Sequence, residues 1–211
     1  MARYHKAVCR LCRRSAQKLY LKGYRCYTPK CAIERRNYAP GQHGQSRRRP
    51  RKPSDYALQL REKQKAKHFY GLMERQFRRY YQRAARSKGI TGEAMLAMLE
   101  SRLDNVVFRA GLASSRREAR HLTRHRHFTV NGRIVDIPSY EVRPNDVVQV
   151  KPSSRNKYPI VQAVNAAGSR TPVPWLSVDL VQMSATMLSV PTREGIDADV
   201  SEQLVVEYYS R

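Results

Sequence analysis

The stretch SRREARHLTRHRHFTVNGRIV, residues 115–135, contains the signals for a helix followed by a hairpin. Ser115-x-x-Glu118 is a capping box, which predicts a short helix that continues to about Arg124. Asn131-Gly132 is the strongest short signal for a hairpin turn, and it lies within the strand-like run from Phe128 to Val135. With a helical apolar pattern before it and the strand Val147–Val150 after it, the stretch predicts a compact unit of two helices, a hairpin and a following strand.

Helical signals also occupy residues 55–111. Pro53-Ser54-Asp55 predicts a helix start and Gly71 its end, a second helix is expected over about 73–88, and Thr91 is expected to cap a third. Strand-like pieces follow at Leu176–Leu180 and Met187–Val190. Residues 199–209 favour a helix capped by Asp199, while residues 151–175 have no assigned fold or role. The expected class is α+β: a mainly helical domain, a small α/β module and an N-terminal extension.

The charge of the chain is large and uneven. Its formal net charge is +24, and residues 1–70 contain 20 basic and three acidic residues, whereas residues 127–211 contain eight and nine. This gradient predicts a polyanionic partner, because phosphates release condensed counterions when basic side chains neutralise them. No apolar run is long enough to span a membrane, and the N-terminus lacks a secretion signal. We expect neither a membrane nor a small-molecule substrate as a partner.

The only cysteines are spaced Cys9-x2-Cys12-x13-Cys26-x4-Cys31. In a reducing cytoplasm this pattern favours a metal site, and four thiolates suit one structural Zn²⁺. A [4Fe-4S] cluster takes the same ligands, and disulfides or free thiols remain as alternatives. We expect the neighbouring Arg and Lys residues to help hold the four thiolates deprotonated around the metal. Four protein ligands leave no open position on the metal, which argues against catalysis by it.

Two cationic stretches are candidates for nucleic-acid binding. Residues 46–54 alternate Arg and Pro, so they should stay extended along a phosphate backbone, with contacts from Arg47, Arg48, Arg49, Arg51 and Lys52. The predicted helix after Ser115 places Arg116, Arg120 and Arg124 on one face with Arg117 and His121 beside it. Arg126 follows this helix, and Ser114 and Ser115 are expected to offer hydroxyl and amide groups to a phosphate at its start.

Several motifs together are similar to one family. They are Leu99-Glu100-Ser101-Arg102-Leu103-Asp104-Asn105, Ser115-Arg116-Arg117-Glu118-Ala119-Arg120 and Val130-Asn131-Gly132, with Arg35-Arg36-x-Tyr38-Ala39-Pro40-Gly41-Gln42-His43-Gly44, Pro53-Ser54-Asp55-Tyr56 and Tyr208-Tyr209-Ser210-Arg211. Across essentially the whole chain they resemble the family of the fourth small-subunit ribosomal protein of bacteria. The cysteine spacing resembles that of its metal-binding members.

The resemblance implies a domain order and further site residues. The expected domains are a metal-binding extension 1–45, a helical domain 46–98 completed by the C-terminal helix 199–211, and a second domain 99–198 that contains an RNA-binding module at 99–165. The family motifs add Arg35, Arg36, Ser54, Tyr56, Lys63, Arg109 and His127 to the candidate RNA-binding residues.

The resemblance also implies a function. Family members bind 16S ribosomal RNA at a multi-helix junction of its 5′ domain and nucleate assembly of the small-subunit body in the cytoplasm. They contact the fifth small-subunit protein and other small-subunit proteins near the mRNA entrance, affect decoding accuracy, and in some cases repress their own operon. None of these roles is enzymatic.

Two other classes of protein share part of this pattern. An RNA-modifying enzyme can carry the same module, and Arg102-Leu103-Asp104 superficially fits the motif that contains its catalytic Asp. However, Asp104 lies in a helical apolar pattern, where it should pair with an Arg. Too few residues follow the module to form a catalytic domain. A zinc-finger DNA regulator would need a recognition helix, which the sequence does not indicate.

Overall fold

The computed structural model describes residues 4–45, 52–168 and 173–211. Their contacts form two compact units, the first comprising Met1–Gly92 and Asp199–Arg211 and the second Glu93–Ala198. Helices are combined with one small antiparallel sheet, so the predicted mixture of a mainly helical part and an α/β module is confirmed. That a metal fastens the N-terminal extension stays a prediction.

The helices and strands are named in chain order. The helices are α1 (Cys9–Ser15), α2 (Ala32–Arg35), α3 (Asp55–Phe69), α4 (Glu74–Arg86), α5 (Thr91–Glu100), α6 (Leu103–Arg109), α7 (Arg116–Arg124), α8 (Tyr158–Ala167) and α9 (Glu202–Ser210). The strands are β1 (Phe128–Val130), β2 (Arg133–Ile134), β3 (Val147–Val150), β4 (Leu176–Asp179) and β5 (Ser184–Met187). Short 3-10 helices cover Gly23–Tyr27, Gln42–Gln45 and Pro152–Ser154.

The start and end of α3 follow the sequence signals. The Ser54 hydroxyl oxygen accepts a hydrogen bond from the Ala57 amide at 3.3 Å, which caps the helix. Gly71 ends it with φ +65°, a conformation that glycine adopts without a steric penalty. Both predictions are confirmed, as is the second helix, whose Phe77 and Ala84 are fully buried. Thr91 is the first residue of α5 rather than a residue before it.

Helix α9 packs against α3 in the first unit. Val205 is fully buried there, and the Gln59 amide donates to the Glu207 carboxylate at 2.9 Å. The predicted C-terminal helix is therefore confirmed, but it begins at Glu202. Asp199 does not cap it, because the N-cap position is Ser201, and the Asp199 carboxylate accepts a hydrogen bond from Gln17.

The second unit contains a sheet with the strand order β2-β1-β3-β5-β4, in which every neighbouring pair is antiparallel. The hairpin between β1 and β2 turns at Asn131 and Gly132, whose φ angles are +49° and +78°, so the predicted hairpin is confirmed. The Asn131 side chain also ties this turn to the next one: it donates to Asp146 at 2.8 Å and accepts from the Val147 amide at 2.9 Å.

One face of the sheet carries the core of the second unit. Alternate residues of β1 and β3 point inward, as the pleat requires. The core residues from these strands and from α6, α7 and α8 are Phe128, Val130, Val148, Val150, Leu103, Val106, Val107, Ala119, Leu122 and Ile160. This core fixes the positions of α6 and α7, which carry many of the candidate site residues.

The region after β3 departs from the sequence prediction. The expected strand Met187–Val190 is wrong: the strand is Ser184–Met187, because Ala185 and Met187 alternate into the core while Leu188 and Val190 are more than half exposed. Helix α8 was not predicted. Its buried residues Ile160, Ala163 and Ala167 have helical spacing, but Pro and Ser around them obscured the pattern.

Candidate nucleic-acid interface and cysteine cluster

The N-terminus of α7 is capped by nearby side chains. The Ser115 hydroxyl oxygen accepts from the Glu118 amide at 3.2 Å, and the Glu118 carboxylate accepts from the Ser114 amide at 2.7 Å and from the Ser114 hydroxyl. The Ser115 contact confirms the predicted helix cap, whereas the Glu118 carboxylate accepts from the Ser114 amide rather than from the Ser115 amide that a capping box uses. Glu118 accepts from both donors of Ser114, and Ser115 is buried. The phosphate contacts of Ser114 and Ser115 stay predictions, and they would require these groups to change partners.

Two of the predicted RNA-binding arginines of α7 point into the protein. The side chain of Arg116 is 9% exposed, and its Nε donates to Asn105 at 2.7 Å. Its guanidinium also lies over the Phe108 ring, 4.5 Å from the centroid. The side chain of Arg120 is 8% exposed and lies 3.6 Å from an Asp104 oxygen. The expected cationic face of Arg116, Arg120 and Arg124 is therefore divided, because the first two arginines pack against carboxylates and the core.

The carboxylates that hold these arginines come from α5 and α6. Glu100 is fully buried and receives two hydrogen bonds from Arg109, each at 3.0 Å. Asp104 receives two from Arg102, at 3.0 and 2.7 Å, which confirms the expected pairing of Asp104. We call Glu100, Asp104, Arg102, Arg109, Arg116 and Arg120 the carboxylate network. The Arg109 guanidinium donates to Glu100 and to the Asp197 carbonyl, and its RNA contact stays a prediction.

The remaining arginines and histidines of α7 and of the residues directly after it are mostly exposed. Arg117, His121, Arg124 and Arg126 are exposed, and so is His125, which the sequence analysis missed. The rings of His121 and His125 lie 4.3 Å apart, and those of His125 and His127 lie 6.4 Å apart. We call Arg117, His121, Arg124, His125, Arg126 and His127 the α7 cationic surface. Its helical spacing with His121 is the signal that could have identified His125.

His127 is the least exposed member of this surface. Its Nδ1 lies 3.0 Å from the Ser154 hydroxyl. Burial lowers its pKa, and the neighbouring Lys157, His125, His121 and Lys151 lower it further because they disfavour a second positive charge. The α7 cationic surface thus combines permanent guanidinium charges with imidazoles.

The candidates in the first unit also divide into exposed and buried side chains. Arg35, Arg36, Lys52 and Tyr56 are exposed. Ser54 is exposed and caps α3. Arg47, Arg48, Arg49 and Arg51, with most of the predicted extended linker, lie outside the described residues.

Lys63 belongs to the interior of the first unit. Its side chain is 5% exposed, its Nζ lies 2.9 Å from Glu74, and it sits over the Tyr208 ring at 4.7 Å from the centroid. Burial alone would raise the pKa of Glu74, but hydrogen bonds from Tyr209, Lys63 and Lys67 outweigh it and lower the pKa to about 2. The Lys63 ammonium is thus held by a carboxylate and an aromatic face, and its RNA contact stays a prediction.

The four cysteines line one small cavity of about 20 Å³. Cys9 and Cys12 lie on α1, Cys26 lies in the 3-10 helix Gly23–Tyr27, and Cys31 precedes α2. All four are free thiols. Across residues 4–45, 52–168 and 173–211, no group of three or more His, Cys, Asp or Glu side chains is arranged closely enough to hold a metal ion. The thiols thus share a cavity, and a bound metal would have to draw them closer.

The electrostatics of this cavity differ from the sequence expectation. Burial raises the pKa of Cys12 to about 11, and the other three cysteines also raise it. Burial likewise raises the pKa of Cys26 and outweighs the lowering by Lys18. The nearby basic residues therefore do not keep these two thiols deprotonated. A metal ion would do so, because its charge favours the thiolate.

Comparison with known proteins identifies the family. The Ribosomal protein S4/S9 N-terminal domain family matches residues 3–100, and the S4 domain family matches residues 101–148, which contain α6, α7 and the hairpin. Small ribosomal subunit protein uS4 of Pelotomaculum thermopropionicum is 58% identical over 211 residues and 100% of both chains. The uS4 proteins of Thermus thermophilus and Acetivibrio thermocellus are each 57% identical with the same coverage.

This chain belongs to the uS4 family of small ribosomal subunit proteins. The predicted resemblance is confirmed at this level, and the four-cysteine metal-binding form stays a prediction. The names of the uS4 relatives describe ribosomal proteins, which are structural components rather than enzymes.

Asp104, the residue that superficially fits a catalytic aspartate, is nearly fully buried in the carboxylate network of this uS4 family member. A carboxylate held by two guanidiniums is poorly placed to meet a substrate. Within the described residues, no helix has both the length and the apolar character that crossing a membrane requires.

Proposed function

We propose that this protein is a structural component of the small ribosomal subunit that binds 16S ribosomal RNA through the α7 cationic surface. The observation that supports this most directly is the division of α7. Arg116 and Arg120 are fixed against carboxylates, whereas Arg117 and Arg124 are exposed next to three imidazoles. Arg126 is also exposed, and its Nε pairs with the Asp136 carboxylate at 3.0 Å. Membership of the uS4 family supplies the ribosomal context.

The geometry suggests how the surface recognises RNA. The carboxylate network holds α7 against α5 and α6, so the helix backbone that carries Arg117 and Arg124 is in place before RNA binds. A preformed helix lowers the entropy cost of binding, although the exposed side chains still have to be ordered. Their hydrogen bonds are suited to phosphates and 2′-hydroxyls, which favours recognition of RNA shape over base sequence.

The finer roles form part of the same proposal. The protein would dock at a multi-helix junction in the 5′ domain of 16S ribosomal RNA and nucleate assembly of the subunit body in the cytoplasm. It would contact the fifth small-subunit protein and other small-subunit proteins near the mRNA entrance and contribute to decoding accuracy. Repression of its own operon is a further role that this surface could serve, since it requires only a structured mRNA.

We also propose that Cys9, Cys12, Cys26 and Cys31 hold one structural Zn²⁺, with a [4Fe-4S] cluster as the alternative. The shared cavity and the four-thiol donor set support this. The metal would link α1, the 3-10 helix and α2, which contribute few apolar side chains of their own. Metal analysis of purified protein, together with its visible absorption, distinguishes zinc, which is colourless, from a cluster, which absorbs.

The RNA-binding proposal is tested by a matched pair of variants. Arg117→Gln/Arg124→Gln removes two exposed charges from α7, and Arg133→Gln/Arg143→Gln removes two exposed charges elsewhere in the second unit. We expect the α7 variant to bind a 5′-domain RNA fragment more weakly. The slope of log K against log salt should also become shallower, by roughly 0.7–0.9 for each phosphate that the variant no longer neutralises.

The control variant should retain most of the affinity and the slope. Equal losses in both variants would mean that net charge, rather than the α7 cationic surface, determines binding. An α7 variant with the wild-type slope would refute the proposed interface.

A further inference from the structure

A second, larger cavity lies beside the cysteines. Its volume is about 300 Å³, and it is lined by Cys9, Arg10, Arg13, Arg25, Lys30, Ala32, Arg35 and Arg36. Six of these residues are cationic and none is acidic. Of the six, only Arg35 and Arg36 were among the predicted RNA-binding residues.

Short helices bring these cations together. Arg10 and Arg13 lie one turn apart on α1, Arg25 lies in the 3-10 helix Gly23–Tyr27, and Arg35 and Arg36 lie at the end of α2. Three separate elements therefore direct positive charge into one space. The cysteine cavity shares Cys9, Arg25 and Ala32 with it, so one of the four cysteines lines both cavities.

Part of this wall is held in place by main-chain contacts. The Arg13 guanidinium donates to the Tyr38 carbonyl at 2.9 Å and to the Ala39 carbonyl at 3.2 Å, and it lies 4.5 Å from the Tyr38 ring centroid. Arg25 donates to the Lys30 carbonyl at 3.4 Å. Arg13 thus acts mainly as a support, whereas Arg10, Lys30, Arg35 and Arg36 are exposed.

The charge of this cavity is not balanced by the described protein. Glu34, the acidic residue nearest to it in the chain, is paired with Lys18, and among the described residues none of the six lining cations has a carboxylate within ion-pair distance. Like charges at this density repel one another, so a bound anion would relieve the repulsion. Several guanidiniums around one space are suited to several phosphate groups, because each can form paired hydrogen bonds.

We propose that this cavity binds two or three closely spaced phosphates, as a sharply bent RNA strand or a free oligophosphate presents them. The proposal rests on the proposed RNA-binding function and assigns it a second contact site, in the first unit. The volume supports more than one phosphate, since it reaches the lower end of the roughly 300–1,000 Å³ of small-molecule sites.

Inorganic tripolyphosphate is the probe that tests this site. Its binding to the full chain is measured by isothermal titration calorimetry in the wild type, in a cavity variant and in a control. The cavity variant is Arg10→Gln/Arg35→Gln/Arg36→Gln, which spares the supporting Arg13. The control is Arg75→Gln/Arg79→Gln/Arg86→Gln, which removes the same charge from exposed positions of α4. Circular dichroism verifies that all three proteins fold. If the triple cavity variant does not fold, the single variant Arg36→Gln replaces it.

We expect one tripolyphosphate per wild-type chain, at least about tenfold weaker binding in the cavity variant, and less than about twofold change in the control. No saturable binding, or equal losses in both variants, overturns the proposal. Such a result leaves the proposed function standing if the wild type still binds the 5′-domain RNA fragment.

Competition identifies the source of the phosphates. If tripolyphosphate displaces the RNA fragment from wild type and the cavity variant binds that RNA more weakly, the site takes the RNA backbone. If tripolyphosphate does not displace the RNA and the cavity variant binds the RNA as tightly as the wild type does, the site takes free oligophosphate. A wild type that binds tripolyphosphate but no ribosomal RNA overturns the proposed function instead.

Discussion

Residues 4–45 and residues 93–198 are both rich in arginine but accommodate it differently. In the second region, Glu100 and Asp104 hold four guanidiniums above a continuous apolar core. In the first region, the described buried apolar side chains are Val8, Leu19, Cys12, Cys26 and Cys31, and arginines line an open cavity. The comparison indicates that one region contains its own counter-charges, whereas we propose ligands for both the cations and the thiols of the other.

The largest effect should follow removal of half of the proposed metal ligands. Cys9→Ser/Cys12→Ser would eliminate the metal-binding energy, which for structural zinc is about 10 kcal/mol or more. We expect amide protection to disappear across residues 4–45 and to persist across 93–198, as measured by hydrogen exchange with mass spectrometry. Arg10→Gln, on the same helix, keeps the thiols and should preserve protection. Unchanged exchange in the double variant would show that no metal organises this region.

The next largest loss of stability should follow removal of a charge from the carboxylate network. Glu100→Gln leaves Arg109 and Arg116 partly buried without their counter-charge, and breaking a buried ion pair costs about 3–5 kcal/mol. Urea unfolding of the second unit measures this loss. Glu194→Gln, at an exposed position of the same unit, should change stability by less than about 0.5 kcal/mol. Similar midpoints for the two variants would contradict the role of Glu100.

The pH dependence of the first unit gives a smaller effect. Burial, with the charge of Lys67, lowers the pKa of His68 from 6.5 to about 4. The unfolded chain therefore takes up a proton at higher pH than the folded chain does, so stability should fall as the pH drops from about 6.5 to 4. Allowing for partial exposure, we expect His68 to contribute about 2 kcal/mol to this fall.

Urea unfolding at pH 7, 5.5 and 4.5 checks this expectation against His68→Gln, which cannot titrate. The variant should lose less stability on acidification than the wild type. Parallel curves for the two proteins would show that His68 is not responsible.

The smallest expected loss of stability follows substitution of a turn glycine, and it should be equal in the two units. Gly71 and Gly132 have φ angles of +65° and +78°, and a Cβ on either would meet no other atom within 4 Å. Each substitution to Ala should therefore cost only the backbone penalty of about 1 kcal/mol. Gly168→Ala, at a negative φ, should show no such loss in thermal unfolding. A much larger cost at Gly132 than at Gly71 would reveal contacts specific to the hairpin.

The parts of the fold that short-range signals specify could be predicted from the sequence. The cap at Ser115, the turn at Asn131-Gly132 and the end of α3 at Gly71 each depend on a few adjacent residues. Helix α8 and strand β5 could not be placed, because their burial depends on partners distant in sequence, such as Trp175 and Val148.

Prediction of the α7 site from the sequence had the same limit. Arg116 and Arg120 share with Ala119 and Thr123 the spacing of one helix face, which is the face that packs on the core. This spacing was available in the sequence, but the carboxylates that make burial of two arginines tolerable lie on α5 and α6. The inward orientation of the arginines could therefore be established only from the tertiary structure.

The burial of Arg116, Arg120 and Lys63 bears on chemical footprinting of this protein. Reagents that modify guanidinium or amine groups should label Arg117 and Lys52 readily and leave the three buried side chains almost unmodified even when nothing is bound. A low reaction yield at these three positions in an assembled particle would consequently report on folding, and only the exposed neighbours would report on shielding by a partner.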